Sequence, residues 1–499
     1  MGELIAFVLY FVLMLGIGIF FFLRSAGGGD KEYFLGGRQM GPWVTAMSAQ
    51  ASDMSAWLLM GLPGSILAFG LGQAWIGIGL CIGTILNWVL IAKRLRRFSA
   101  AANDSITLPQ YLSNRFASKS PALQIICAVV FLVFFTVYVA SGFVAGATVF
   151  TTIFEIPENV AMLIFAAVLI IYTFLGGYNA VCWTDFFQGM LMLVALLAVP
   201  IVVVFTKDLD VSVLNTVYTY TDGGKEVTAA FTSNLFSAPP TEIINGMAWG
   251  LGYFGMPHIL VRFMGIKKSS MIKKSAMVAC VWVVITLLCA IVMAYFGRML
   301  IGHELLPSGK QSMVFIELAR DLFPGFIAGI LMAAIMAASM STADSQLLVA
   351  SSSFTADIYR PVLRKNCSDK EALWVGRIVV LVISVIAYLI ASSEGEGAQA
   401  IMNMVENAWA GFGSAFGAVV ILSVFWRRFT YKGAIAGVLV GAVVDVVWLL
   451  FLSSTGIYEL LPGFIASMLA AVVVTLIDKA PAAEVTAIYD NAMDPTIDD

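Results

Sequence analysis

The chain has 499 residues, of which 60% are hydrophobic and only 12% charged, with a formal net charge of −3 and a mean hydropathy of +0.92. Soluble domains run at roughly 45–50% apolar and 25% charged, so water-soluble folds are excluded. Apolar runs of about 20 residues, each long enough for a spanning helix, recur from end to end and define an all-α polytopic membrane protein.

Thirteen spans are expected, centred near residues 13, 53, 82, 138, 167, 195, 251, 286, 336, 382, 411, 441 and 468. The first, "MGELIAFVLYFVLMLGIGIFFFL", is too long an apolar run and lacks the basic start of a cleavable signal. Of the 28 Lys and Arg, 21 fall in alternate loops, among them Arg38, Lys93–Arg97, Lys267–Lys274, Arg360–Lys370 and Arg427–Lys432. The positive-inside rule then puts the N-terminus outside and the C-terminus in the cytoplasm, as an odd span count requires. Residues 1–480 form one membrane domain, and the polar, acidic 481–499 is expected to be a disordered tail. Six cysteines without a CxxC pair and two histidines, His258 and His303, exclude a cysteine or histidine metal site.

The second span reads "SAQASDMSAWLLMGLPG". Asp53 stands in its middle, and Gly61, Pro63 and Gly64 end it. A charge at membrane depth costs roughly 2.5–3.5 kcal/mol on insertion scales, so Asp53 binds a cation, carries a proton, pairs with a distant base, or caps amides of a broken helix. A break there frees the carbonyls of Ala51 and Met54. Asp185, where the sixth span starts, has a helix N-terminal role as its plainest reading. The seventh span, "GMAWGLGYFGMPHIL", repeats the Gly/Pro-interrupted pattern about 200 residues after the second. Two interrupted spans five helices apart point to an inverted-repeat transporter with its site at the midplane. Glycine also packs membrane helices closely, which is the blander source of that pattern.

In the ninth span, "AAIMAASMSTADSQLLVASSS", the residues Ser341, Thr342, Asp344 and Ser345 gather within two turns. Hydroxyls and freed carbonyls are hard, nearly neutral donors that suit a hard cation and favour sodium over a proton. Each such hydroxyl has back-bonding to its own helix as the alternative. Trp57, Tyr138, Trp249 and Tyr253 flank the breaks as candidates for substrate contact, and each alone reads equally as packing. Glu406 and Asp445 also lie within apolar spans, with no mechanistic role evident.

The blocks "LGGRQMGPWVTAMSAQASDMSAWLLMGLPG", "YTFLGGYNAVCWTD", "WGLGYFGMPHILVRFM", "MSTADSQLLVASS" and "NAWAGFGSAFGAVV" resemble the solute:sodium symporter family, in order and over residues 5 to 480. That resemblance implies thirteen helices with a LeuT-type five-plus-five inverted repeat over about 40–425 and two broken helices. It implies one sodium ion on the carbonyls of Ala51, Met54 and Ala338 and the hydroxyls of Ser341 and Thr342, with Asp53 organising the site. Substrate contacts would come from Ser55, Trp57, Tyr138, Trp249, Tyr253 and Pro257, and Arg38 would serve the cytoplasmic side. The implied activity is sodium-coupled uptake of L-proline across a bacterial cytoplasmic membrane by alternating access, with pantothenate or another amino acid as the alternative solute. Sodium is the coupling ion, no organic cofactor is implied, and the partners are substrate, ion and lipid bilayer, with no nucleic acid and no obligate protein. Asp344 and Glu406 stand where enterobacterial members carry small hydroxyl residues, and Asp445 where they carry an aliphatic one, which leaves the ion stoichiometry open. A channel would lack stoichiometric coupling, and an intramembrane enzyme would need a constellation such as HExxH, which the chain lacks.

Overall fold

The computed structural model describes residues 1–24, 30–175, 177–222, 225–394 and 398–494. Long apolar segments fold as helices because, in lipid, a helix satisfies its own backbone hydrogen bonds. In chain order these are α1 (Gly2–Arg24), α2 (Pro42–Met54), α3 (Gly61–Phe69), α4 (Ala74–Leu86), α5 (Ala122–Phe154), α6 (Glu158–Leu175) and α7 (Tyr178–Thr206). There follow a hairpin of β1 (Tyr218–Asp222) and β2 (Lys225–Ala229), then α8 (Pro240–Ala248), α9 (Pro257–Gly265), α10 (Ile272–Leu305) and α11 (Gly325–Ser353). The chain continues as α12 (Asp369–Glu394), α13 (Ala398–Phe412), α14 (Tyr431–Val447), α15 (Leu460–Ile477) and α16 (Ala483–Met493).

The helix α11 is the centre of the molecule. Every residue from Leu331 to Ser353 is buried, and the helix packs against α1, α2, α5 and α7. A helix covered on all sides needs no amphipathic stripe, which is why its Ser, Thr, Asp and Gln residues sit in the interior. By contrast α12 and α14 leave Ile378, Val382, Leu389 and Val443 exposed, a surface suited to lipid.

Ten helices among the described residues are long and apolar enough to cross a membrane. All thirteen expected segments fall on helical structure, yet three do not meet that length. The helix α6 is short on its own, and the segments near 53 and 251 are interrupted. The expected disorder after Pro481 is corrected over Ala483–Met493, which is helix α16. It buries Val485 and Ala492, its Asp490 takes a two-pronged bond from Arg427 at 2.8 and 2.7 Å, and the Tyr489 ring meets Phe98 edge-on at 5.1 Å. An acidic composition hid a small apolar face.

Candidate functional site

Both expected interruptions are present, and they face each other. At the first, α2 ends at Met54, and Ser55 adopts a left-handed φ of 45°. The Ser55 hydroxyl accepts from the Trp57 amide at 3.1 Å, capping a single 3-10 turn before α3 starts at Gly61. At the second, α8 ends at Ala248, a 3-10 turn covers Trp249–Phe254, and Pro257 opens α9. Gly252 is required there, since a Cβ would sit inside the Trp409 indole.

The break leaves the last carbonyls of α2, residues 51 to 54, without helical donors. The Ser341 hydroxyl on α11 donates to the Ala51 carbonyl at 2.8 Å and reaches that of Ala338 at 3.2 Å. The Thr342 hydroxyl approaches the same Ala51 oxygen at 3.5 Å. Thus Ala51, Ala338, Ser341 and Thr342 are brought together, with Met54 buried in the same break. Neutral oxygens converging at a helix end suit a hard monovalent cation.

Asp53 is 4% exposed. Its carboxylate accepts from the Tyr253 hydroxyl at 2.6 Å, and its own carbonyl accepts from Tyr138 on α5 at 3.5 Å. The side chain therefore joins the two breaks across the membrane core. Tyr253→Phe removes the one hydrogen bond to that carboxylate among the described residues; an unsatisfied buried group costs about 1–3 kcal/mol, so the transport expected from the sequence should fall about tenfold or more. Initial rates of the folded variant check this, and an unchanged rate would refute it.

Asp53 borders a nearly closed cavity of about 10 Å³, lined also by Met54, Trp57, Leu80, Tyr138, Trp249, Tyr253, Val405 and Trp409. The Trp57 and Trp249 rings stack at 5.6 Å, Trp249 stacks on Tyr458 at 5.3 Å, and Trp409 meets Tyr253 edge-on at 5.0 Å. The Trp409 indole also donates to the Trp249 carbonyl at 2.8 Å, bracing the second break. Four of the six expected contact residues line this cavity. Ser55 and Pro257 stand outside its wall and shape the breaks instead. Leu80, Val405 and Trp409 are additions to the wall, and Tyr458 backs Trp249 from outside it. The three wall residues sit on the unbroken helices α4 and α13, and only the four-residue spacing of Val405 and Trp409 on one face of α13 could have hinted at them.

Asp185 departs from its expected place. It is fully buried, well inside α7 rather than at its start, and pairs with Arg262 of α9 at 3.2 Å. Ser48 of α2 donates to Asp185 at 2.6 Å and accepts from Arg262 Nε at 3.0 Å; Arg262 also reaches Ser345 of α11. One ion pair therefore ties four helices. Asp344 lies in the same region, facing Tyr10, Tyr172 and Asp185, with Ser345 beside it as a hydrogen-bond donor.

Arg38 closes one end of the site. Its guanidinium donates to the Met264 carbonyl at 2.8 Å, to Ser99 at 3.1 Å and to the Ser105 carbonyl at 2.9 Å, and it pairs with Asp104 at 2.8 Å. A backbone bridge of Met40 with Ile266 lies alongside, so the start of α2 is fastened to the end of α9. At the opposite end Gly70 bridges Thr232, fastening the end of α3 to the loop before α8.

The model of the sodium:solute symporter family matches residues 33–441. The sodium/proline symporter of Haemophilus influenzae is 43% identical over 498 residues, covering 98% of this chain and 97% of that protein. The high-affinity proline transporter PutP of Bacillus subtilis is 41% identical over 488 residues, covering 96% and 99%. Among solved structures, a substrate-bound, outward-open Na+-coupled sialic acid symporter matches with a TM-score of 0.76 at 19% identity, covering 97% of this chain and 99% of that one. The nucleobase-cation-symport-1 transporter MHP1 matches at 0.55 and 13% identity, covering 92% and 98%. These likenesses show a fold shared with LeuT-type transporters. A family model over most of the chain and near-full-length relatives above 40% identity have one meaning: the chain belongs to the sodium:solute symporter family.

Proposed function

We propose that this chain carries L-proline into the cell together with sodium, by alternating access across a bacterial cytoplasmic membrane. The observation that carries the reading is the meeting of the Ala51 carbonyl with Ser341 and Thr342, one turn from an Asp53 held by Tyr253 against an aromatic cavity. The relatives that are sodium/proline symporters at 43% identity support the choice of both solutes. In this reading sodium, as cargo, is held by the carbonyls of Ala51, Met54 and Ala338 and the hydroxyls of Ser341 and Thr342. Asp53 supplies the nearby negative charge, and Asp344, two residues past Thr342, adds to the negative potential on the same helix.

Proline fits the cavity chemically. Its ring is apolar and its ammonium is a cation, so the faces of Trp57, Trp249, Tyr138 and Tyr253 enclose it. The cavity is nearly closed in this conformation, at about 10 Å³, so admitting the solute requires the aromatic wall to move apart. The two interrupted segments and α6, added to the ten long helices, make thirteen spans with a five-plus-five inverted repeat. The N-terminus is then outside, and the Arg38 fastening is the cytoplasmic gate. No organic cofactor and no protein partner enters this reading.

The energetics suffice. One charge crossing about 100 mV gives about 2.3 kcal/mol, and a tenfold sodium gradient adds about 1.4 kcal/mol; together they support a proline gradient of several hundred-fold. The test is uptake of labelled L-proline into proteoliposomes under an inward sodium gradient, with potassium as control and excess pantothenate or other amino acids as competitors. Saturable uptake that needs sodium and resists those competitors is expected. Uptake that ignores the cation overturns the coupling, and stronger competition by another solute overturns the substrate.

A further inference from the structure

We infer that a latent polar release path runs from the substrate cavity toward Arg38, lined by Gln50, Thr84, Asn87 and His258. The inference rests on the symport reading and names the route by which that substrate leaves.

Each of three elements steps one turn away from the cavity in the direction of Arg38, and each carries a buried polar side chain there. On α2, Gln50 lies three residues before Asp53 and shares its face. On α4, Thr84 faces the Tyr253 hydroxyl, and Asn87 follows three residues on, where the helix widens into a π-turn over Asn87–Ala92. Such turns mark functional positions more often than chance. On α9, His258 follows Pro257 and lies one turn before Arg262, with its ring edge-on to Tyr138 at 6.2 Å and to Phe135 at 5.7 Å. The three elements are contiguous. Trp88 donates to Gln50 at 3.4 Å, and its ring meets Phe263 of α9 at 4.5 Å.

Among the described residues, the Gln50 amide nitrogen and both polar atoms of Asn87 are buried without a hydrogen-bond partner, while Thr84 has the Tyr253 hydroxyl in reach and His258 the Ser52 carbonyl. All four residues are 1% exposed or less. Buried polar groups are normally paired, and leaving one unpaired costs about 1–3 kcal/mol. Apolar side chains of the same shape would serve a permanently closed core better. A chain that keeps these groups gains from them in a conformation where they meet something polar, namely water and the zwitterionic solute leaving the cavity. The other side of the cavity contrasts with this, being covered by the stacked rings of Trp57, Trp249 and Tyr458.

The experiment compares wild type with Asn87→Leu and His258→Phe, which fill the same space without polar atoms. Proline affinity of the purified protein in sodium and maximal uptake rate in proteoliposomes are both measured. Expected is a fall in maximal rate of about fivefold or more with affinity held within about twofold, the split of a step after binding. A smaller fall, or an affinity lost in step with the rate, overturns the path. Independently of any substrate, Asn87→Cys should react with a charged thiol reagent in potassium and be protected by sodium, read on its own peptide by mass spectrometry. No reaction in either salt overturns the path. If wild type itself takes up no proline, the substrate reading fails while the thiol result still decides the path.

Discussion

Asp53→Asn is expected to lower sodium-driven uptake by about a hundredfold while leaving the protein folded. The amide keeps the shape and still accepts from Tyr253, so the break between Met54 and Ser55 has no steric reason to collapse. What is lost is a full negative charge beside the oxygen cluster of Ala51, Ser341 and Thr342. Taken at about 6 Å and an effective dielectric of about 20, that charge is worth roughly 3 kcal/mol to a bound cation. The loss should therefore appear mainly as a sodium requirement raised about a hundredfold, with partial recovery at high sodium. Uptake titrated against sodium reads this directly. A variant whose half-saturating sodium is unchanged would reduce Asp53 to a scaffold.

Arg262→Met has the second large expected effect, and it falls on stability. Asp185 and Arg262 are both fully buried, and removing one partner of a buried pair costs about 3–5 kcal/mol, because the other charge is left uncompensated. Ser48 and Ser345 lose a partner at the same time, so α2, α7, α9 and α11 loosen together. The double variant Asp185→Leu/Arg262→Met should recover most of that loss, since an apolar pair of similar volume is often neutral. Thermal unfolding in detergent checks both. A double variant no more stable than Arg262→Met would show that the charge itself is not the issue.

The sequence made the breaks legible and the assembly around them less so. Gly and Pro in "LLMGLPG" and "GLGYFGMP" weaken a helix locally, and a charge or hydroxyl cluster in an apolar span stands out against its neighbours. Asp53, Tyr253, Ser341 and Thr342 were therefore visible one by one. Trp409 was not, because an aromatic on a regular helix looks the same whether it packs against lipid, core or ligand. Asp185 reads as a helix start only as long as Arg262 is unplaced, and their pairing spans 77 residues. The α16 helix was hidden for a related reason: its Val485 and Ala492 form an apolar face too small to register against an acidic background. The count of spans suffers from the same breaks that reveal the site, since no continuous helix in the second span exceeds 13 residues.

In the proposed mechanism the ion sits between the first break and α11, and the solute lies beside it between the two breaks. The most direct measurement is the affinity of the purified protein for L-proline across a series of sodium concentrations, with the converse titration of sodium at several proline concentrations. Linkage requires each ligand to change the other's affinity by the same factor. The account predicts that proline binding tightens about tenfold or more between sodium-free and saturating conditions, with a matching factor for sodium, and that Ser341→Ala erases both. Proline binding that is indifferent to sodium in the wild type would contradict it.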